Sequence, residues 1–168
     1  ALQRANIGIA MGKAGTDVAR GAADMVLLDD DFSTIVSSVK AGRRIFDNIR
    51  KFIKDTMSSN SGEIWTLFLA PLCGLPIPLL PIHILWINLV TDGLPGLAFS
   101  AEPAERDVMQ RPPRPYNESL FTHGMWQHIL WVGLAVGGLS IGMLAWSVER
   151  EVGYWQTSVF TVLVFSQL

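Results

Sequence analysis

The sequence predicts a mainly α-helical protein, in which a polytopic bundle of membrane helices follows a small remnant of an α/β domain. Hydrophobic residues make up 49% of the 168 residues and charged residues only 17%, below the roughly 25% that is typical of soluble domains. Nine of the thirteen Lys and Arg residues precede residue 55, and all six tryptophans follow it. The net charge of −2 argues against nucleic acid as a partner, and the apolar second part favours the lipid bilayer.

Residues 1–31 predict a strand, a helix and a second strand. Two short apolar runs, Ile7–Met11 and Met25–Leu28, flank a segment in which Thr16 is placed to cap a helix. A piece of this size cannot bury a core of its own. We therefore interpret it as the end of an α/β domain.

One long helix is predicted from about Phe32 to about Cys73. Apolar residues recur at helical spacing, no proline occurs before Pro71, and Asp31 is placed to cap the start. Residues 32–56 are amphipathic and basic, which is typical of a stalk. The rest of the helix is apolar enough to enter lipid.

A transmembrane region is predicted over residues 57–168. Crossing a bilayer takes about 20 mostly apolar residues, and four segments are candidates: about 57–75, 81–100, 126–146 and 155–168, where the sequence ends. Twelve of the thirteen basic residues fall in the N-terminal portion or in the loop between the second and third spans (Arg106, Arg111 and Arg114). Because basic loops stay on the inner side, the N-terminal portion is expected in the cytoplasm.

The first two spans carry polar residues that hydrocarbon should exclude. Asn60 and Glu63 share one helix face, and Asn88, Thr91 and Asp92 share another. A carboxylate in mid-membrane is unfavourable by roughly 2.5–3.5 kcal/mol, so such residues face the bundle interior and mark ion pathways. Oxygen donors of this kind suit a hard cation such as calcium. Gly93 and Pro95 are expected to break the second span beside Asp92, where freed backbone groups would line a cavity.

Several segments resemble the type II P-type cation-transporting ATPases, most of all the calcium-pump branch. The stretches Ala5–Gly12 and Gly15–Asp30 resemble the end of their phosphorylation domain, and Asn48–Ile53 resembles their stalk. Three further segments resemble the cation motifs of the fifth and sixth membrane helices and the loop after the sixth: Ser58–Glu63, Leu85–Pro95 and Asp107–Arg114.

The resemblance implies a haloacid-dehalogenase-like fold for residues 1–31 and membrane helices five to eight for the rest. It implies that Asn60, Glu63, Asn88, Thr91 and Asp92 bind the transported cation, with calcium first among the candidates. The phosphorylated aspartate, the nucleotide and actuator domains and helices one to four would precede Ala1, so that ATP and Mg²⁺ bind there. The chain alone is then expected to be inactive, and the complete protein to be a multi-pass pump of the plasma (inner) membrane.

Gln167 departs from the pattern of the two-calcium pumps, which place a glutamate there. The resemblance implies that Gln167 is a sixth ligand, and it leaves open how many ions bind and whether the ion is calcium, manganese, sodium or potassium. A different class also accounts for the membrane spans: a non-enzymatic secondary transporter or channel subunit with an intramembrane carboxylate site. His83, His123 and His128 lack metal-ligand spacing and are expected at the membrane interface.

Overall fold

The computed structural model describes residues 2–115, 119–121 and 124–168. The expectation for His123 lies outside these residues. The chain divides into two compact units. The first contains the residues up to Phe46 together with Pro103–Arg111, and the second contains Asp47–Glu102 with Pro112–Leu168.

The first unit begins with a 3₁₀ turn, Leu2–Arg4, and continues as the predicted strand, helix and strand. Strand β1 (Ile9–Met11) pairs in parallel with β2 (Met25–Leu27), with Ile9 opposite Met25, and α1 (Asp17–Ala22) connects them. The Thr16 hydroxyl accepts a hydrogen bond from the Ala19 N–H at 3.2 Å, which confirms the predicted cap. Val18 and Leu28 are 82% and 78% exposed, so this small sheet leaves much apolar surface uncovered.

Helix α2 (Ser33–Leu72) is one uninterrupted helix of 40 residues, which confirms the prediction of a helix from about Phe32 to about Cys73. At 1.5 Å per residue it is about 60 Å long. The Asp31 carboxylate accepts a hydrogen bond from the Ser33 N–H at 2.8 Å, so Asp31 satisfies a donor at the helix start as predicted.

Four further helices follow in the second unit: α3 (Pro81–Trp86), α4 (Gly93–Ala101), α5 (Met125–Glu149) and α6 (Trp155–Gln167). Helices α3 and α4 are joined by a π-helical segment, Ile87–Thr91. Within the described residues, two stretches are long and apolar enough to cross a membrane, Pro81–Ala101 and Met125–Glu149. They lie where spans of about 81–100 and 126–146 are predicted. The expected mainly helical membrane bundle is confirmed.

Helices α2 and α5 pack closely through glycines. A Cβ atom at Gly62 would lie 2.8 Å from Val136 Cγ1, and one at Gly137 would lie 2.7 Å from Trp65 Cβ. Small residues let membrane helices approach to backbone distance. The apolar core continues from this contact to α6 through Leu144, Val159 and Leu163, which are fully buried.

Candidate functional site

Three of the six predicted ligands are buried together in the second unit. Glu63 and Asp92 are each only 5% exposed and Thr91 is 8% exposed. Glu63 lies in the second half of α2, whereas Thr91 and Asp92 lie where the π segment ends. The two carboxylates are close enough for their negative charges to repel each other. The structure therefore places both carboxyl groups at one point inside the helical bundle.

The remaining predicted ligands lie at different distances from these carboxylates. Asn88 Nδ2 donates a hydrogen bond to Glu63 Oε2 at 3.4 Å and another to the Ile84 carbonyl at 2.9 Å. The Gln167 side chain lies beside the Glu63 carboxyl group. Asn60 is half-buried one turn before Glu63 on the same helix. Side chains of α2, the π segment and α6 thus converge.

Three buried oxygen atoms of this cluster have no hydrogen-bond partner in the part of the chain that the structure describes: Glu63 Oε1, Asp92 Oδ2 and Gln167 Oε1. A buried acceptor without a partner is unfavourable, and a bound cation would satisfy all three. Calcium takes about 6–8 oxygen ligands, including carboxylates and amide carbonyls, so the donor set fits it. No group of three or more His, Cys, Asp or Glu side chains that could hold a metal occurs among the described residues. Amide, hydroxyl or backbone oxygens would have to complete the shell.

The second span is irregular directly before Asp92, where the sequence predicted that Gly93 and Pro95 would break it, and the irregularity is a π turn over Ile87–Thr91. The Asp92 N–H bonds to the Ile87 carbonyl five residues earlier at 3.0 Å, and Gly93 and Pro95 begin the regular helix α4. Pro95 has no N–H for the carbonyl of Thr91, and its ring crowds that carbonyl. The chain accommodates this with a π turn, a feature often found at functional sites.

Two further side chains lie beside the cluster, Asp55 and Ser59, and the sequence alone did not indicate them. The Ser59 hydroxyl lies within hydrogen-bonding reach of the Asp92 carboxylate, and the charge of Asp55 is felt at Asp92. Asp55, Ser59 and Glu63 are spaced four apart in the sequence and so share one face of α2. This spacing could have indicated that Asp55 and Ser59 lie near Glu63. Serine is too common in helices for the spacing alone to indicate a role.

The segment that follows α4 is tied to α2 by polar contacts. Lys51 Nζ lies 2.8 Å from Glu102 Oε1, and Asn48 Nδ2 donates to the Glu102 carbonyl at 3.0 Å. Further along, Arg114 pairs with Asp47 at 2.6 Å. These contacts fix the end of α4 against the basic part of α2, a few turns from Glu63.

The chain matches known proteins over its whole length. The sequence profile of the family described as "Cation transporting ATPase, C-terminus" matches residues 76–168. A "Calcium-transporting ATPase" of Bacillus subtilis is 44% identical over 100% of this chain and 19% of its own length. "Calcium-transporting ATPase 1" of Bacillus cereus is 44% identical over 99% of this chain and 21% of its own. The "Endoplasmic reticulum calcium ATPase srcA" of Aspergillus fumigatus is 45% identical over 95% of this chain and 17% of its own.

These findings define the class of protein to which the chain belongs. The chain belongs to the family of cation-transporting ATPases and corresponds to their C-terminal part, which confirms the resemblance found in the sequence. It spans about a fifth of the length of the relatives that it matches. The relatives are ATPases by name, so they favour this class over the secondary transporter or channel subunit.

Proposed function

We propose that the chain is the C-terminal part of an ATP-driven pump and supplies the intramembrane site for its transported cation, calcium. The observation that carries the proposal is the set of three buried, unpartnered oxygen atoms on Glu63, Asp92 and Gln167 among the described residues. They come from three separate segments of the bundle and point to a ligand that accepts electron pairs. The names of the three relatives support calcium as that ligand.

Each predicted ligand has a distinct chemical role in this proposal. Glu63 and Asp92 supply the negative charge that offsets the charge of the ion. Asn60, Asn88, Thr91 and Gln167 supply neutral oxygen atoms, and the amide contact from Asn88 to Glu63 holds two of the helices in register. Since these side chains fall short of a full calcium shell, backbone carbonyls and a helix from the rest of the pump would complete it.

The binding and hydrolysis of ATP would belong to the rest of the pump. ATP and Mg²⁺ would bind to domains that precede this chain in the complete protein, and the chain alone would neither hydrolyse ATP nor transport ions. Residues 1–31 would complete the phosphorylation domain, residues 32–56 would form the stalk and residues 57–168 the membrane region. The continuous helix α2 supports a stalk that leads directly to Glu63.

The proposed location is the plasma (inner) membrane, with the N-terminal portion in the cytoplasm. Nine basic residues before residue 55 and three in the loop before α5 support this orientation. The Gln167 amide, in place of a third carboxylate, supports one calcium ion per cycle, since a second ion would need more negative charge than two carboxylates provide.

The substitution Asp92→Asn in the complete pump tests the proposal. It removes one of two charges but keeps the shape of the side chain. We therefore expect phosphorylation by ATP to be lost at calcium concentrations up to at least a hundred times that which the unchanged pump requires. Phosphorylation by radiolabelled ATP, measured over a range of calcium concentrations, provides the readout.

Glu149→Gln is the matched control. Glu149 is an exposed carboxyl group at the end of α5, and its neutralisation should leave the calcium dependence unchanged. An Asp92→Asn pump that is phosphorylated with ordinary calcium dependence would rule out this site.

A further inference from the structure

A cavity of about 320 Å³ lies inside the second unit, next to the proposed cation site. Its walls come from four helices: α2, α4, α5 and α6. The apolar part of the lining includes Val132 and Val136. The polar part includes Asp55, Ser58, Ser59, His128, Ser166 and Gln167. A polar cavity of this volume accommodates several water molecules.

The cavity follows the axis of α2 from its basic part towards the carboxylates. Lys51 and Ser59 both line it, and eight residues of α helix extend about 12 Å. The opposite wall ends at Gln167 on α6. The cavity therefore reaches from the level of the Lys51–Glu102 ion pair to the level of the cation site.

Two residues that line the inner end of the cavity, Ser59 and Gln167, are neighbours of the buried carboxylates. Ser59 lies within hydrogen-bonding reach of Asp92, and Gln167 lies beside Glu63. Asp92 is only 5% exposed and its Oδ2 atom has no partner among the described residues. A polar space whose lining includes a neighbour of this carboxylate offers a route by which an ion can reach it.

Asp55 supplies a carboxylate in the wall of this space, one helical turn before Ser59. The other titratable side chains that line the cavity are Lys51, Lys54 and His128. The Lys51 ammonium group is 2.8 Å from the Glu102 carboxylate, so its charge is largely offset. Lys54 is exposed on α2. Asp55 is therefore the acidic group of the lining that lies nearest to the inner end.

We propose that this cavity is an aqueous vestibule through which the transported cation reaches Asp92, and that the Asp55 carboxylate is a weak cation-binding station within it. The inference rests on the proposed function, because it assumes that Glu63 and Asp92 bind the ion. It adds a residue and a route that the ligand set does not contain. A carboxylate in the wall of a cleft attracts cations and raises their rate of association, and in strongly charged clefts the factor is roughly 10–1000.

Thiol labelling tests whether the vestibule is open to water. In the complete pump with Cys73→Ser, and any other cysteines removed, the Ser58→Cys variant should react with a small, positively charged, membrane-impermeant thiol reagent. Ser140→Cys is the matched control, because Ser140 is a fully buried serine on α5 that does not line the cavity. Labelling of the Ser58→Cys variant at a rate no higher than that of the Ser140→Cys variant would overturn the vestibule.

The substitution Asp55→Asn tests the binding station. Calcium binding, followed by stopped-flow fluorescence in the complete pump, should become about tenfold slower at low salt. The difference should shrink in high salt, which screens the charge. Lys54→Gln should have the opposite effect and accelerate binding, and Glu149→Gln should have none.

The two proposals fail in different ways. If Asp92→Asn abolishes calcium-dependent phosphorylation while the Asp55→Asn pump binds calcium at the original rate, the binding station is wrong and the cation site stands. If the Ser58→Cys variant is labelled but Asp92→Asn retains its calcium dependence, the proposed function is wrong although the vestibule exists. A slower binding rate that does not respond to salt would also overturn the electrostatic role of Asp55.

Discussion

The neutral side chain of Gln167 limits the charge of the proposed site to two carboxylates. Its Oε1 atom is buried without a partner among the described residues, and its Nε2 atom donates weakly to the Ser59 carbonyl at 3.4 Å. The amide is therefore held beside Glu63 and leaves one oxygen available. Calcium affinity depends strongly on the number of charged ligands, so this position sets the strength of the site.

Gln167→Glu in the complete pump should strengthen calcium binding. A third carboxylate adds attraction for the ion, and we expect the calcium concentration for half-maximal phosphorylation to fall about tenfold, which corresponds to about 1.4 kcal/mol. The matched control is Gln156→Glu, which places the same new charge near the other end of α6 and should have little effect. Weaker binding by the Gln167→Glu pump would contradict the proposed role of this residue.

The individual ligands could be predicted from the sequence to different extents. Glu63 and Asp92 stood out because carboxylates within apolar spans are rare and unfavourable there. Gln167 was reached only through the family resemblance, since an amide near a helix end carries no such signal. Asp55 and Ser59 were missed because their role depends on which helices pack against α2, and sequence spacing along one helix does not contain that information.

The π turn between α3 and α4 shows how the second span accommodates a single proline, Pro95. The sequence indicated that Gly93 and Pro95 disturb the second span, but the disturbance falls at Ile87–Thr91. Proline affects the carbonyl four residues before it, which is that of Thr91. A π turn contains one residue more than an α turn. The position of that turn along the chain also depends on packing, because Ile87 is fully buried and the core fixes its position.

Pro95→Ala should restore a regular helix. Alanine supplies an N–H for the Thr91 carbonyl, and it is about 3 kcal/mol more favourable than proline inside a helix. We expect slower amide hydrogen exchange over residues 87–96 and, since Asp92 would be turned away from Glu63, at least tenfold weaker calcium binding. Pro71→Ala, at a helical proline near the end of α2, should leave calcium binding unchanged. Normal calcium binding by the Pro95→Ala pump would show that the π turn does not orient Asp92.

The stability of the whole helical bundle depends on how closely α5 approaches α2. The buried residues of α2 in its second half, Ser58, Ser59, Gly62, Glu63, Thr66 and Ala70, form one face. That face carries Glu63 and also contacts α5, so the depth at which the carboxylate sits is linked to helix packing.

Gly133→Ala should therefore weaken the bundle. The new methyl carbon would lie 2.6 Å from Ser61 Cβ, and overpacking of this kind destabilises by about 1–3 kcal/mol. Gly138→Ala is the matched control, because a Cβ atom at Gly138 meets nothing within 4 Å among the described residues. Thermal denaturation of the detergent-solubilised protein should show a lower Tm for the first variant and an almost unchanged Tm for the second. Equal Tm values would mean that the contact between α2 and α5 accommodates the added methyl group without loss of stability.

The wide turn at Ile87–Thr91 has a geometric consequence for any movement of this hairpin. A π turn holds one residue more than an α turn, and each residue of an α helix advances the rotation by about 100°. If the π turn changed to α geometry, the helix before it would rotate by about 100° relative to Asp92. The Asn88 side chain would then move away from the Glu63 carboxylate. A shift of a single residue would then dismantle the ligand set without bending a helix.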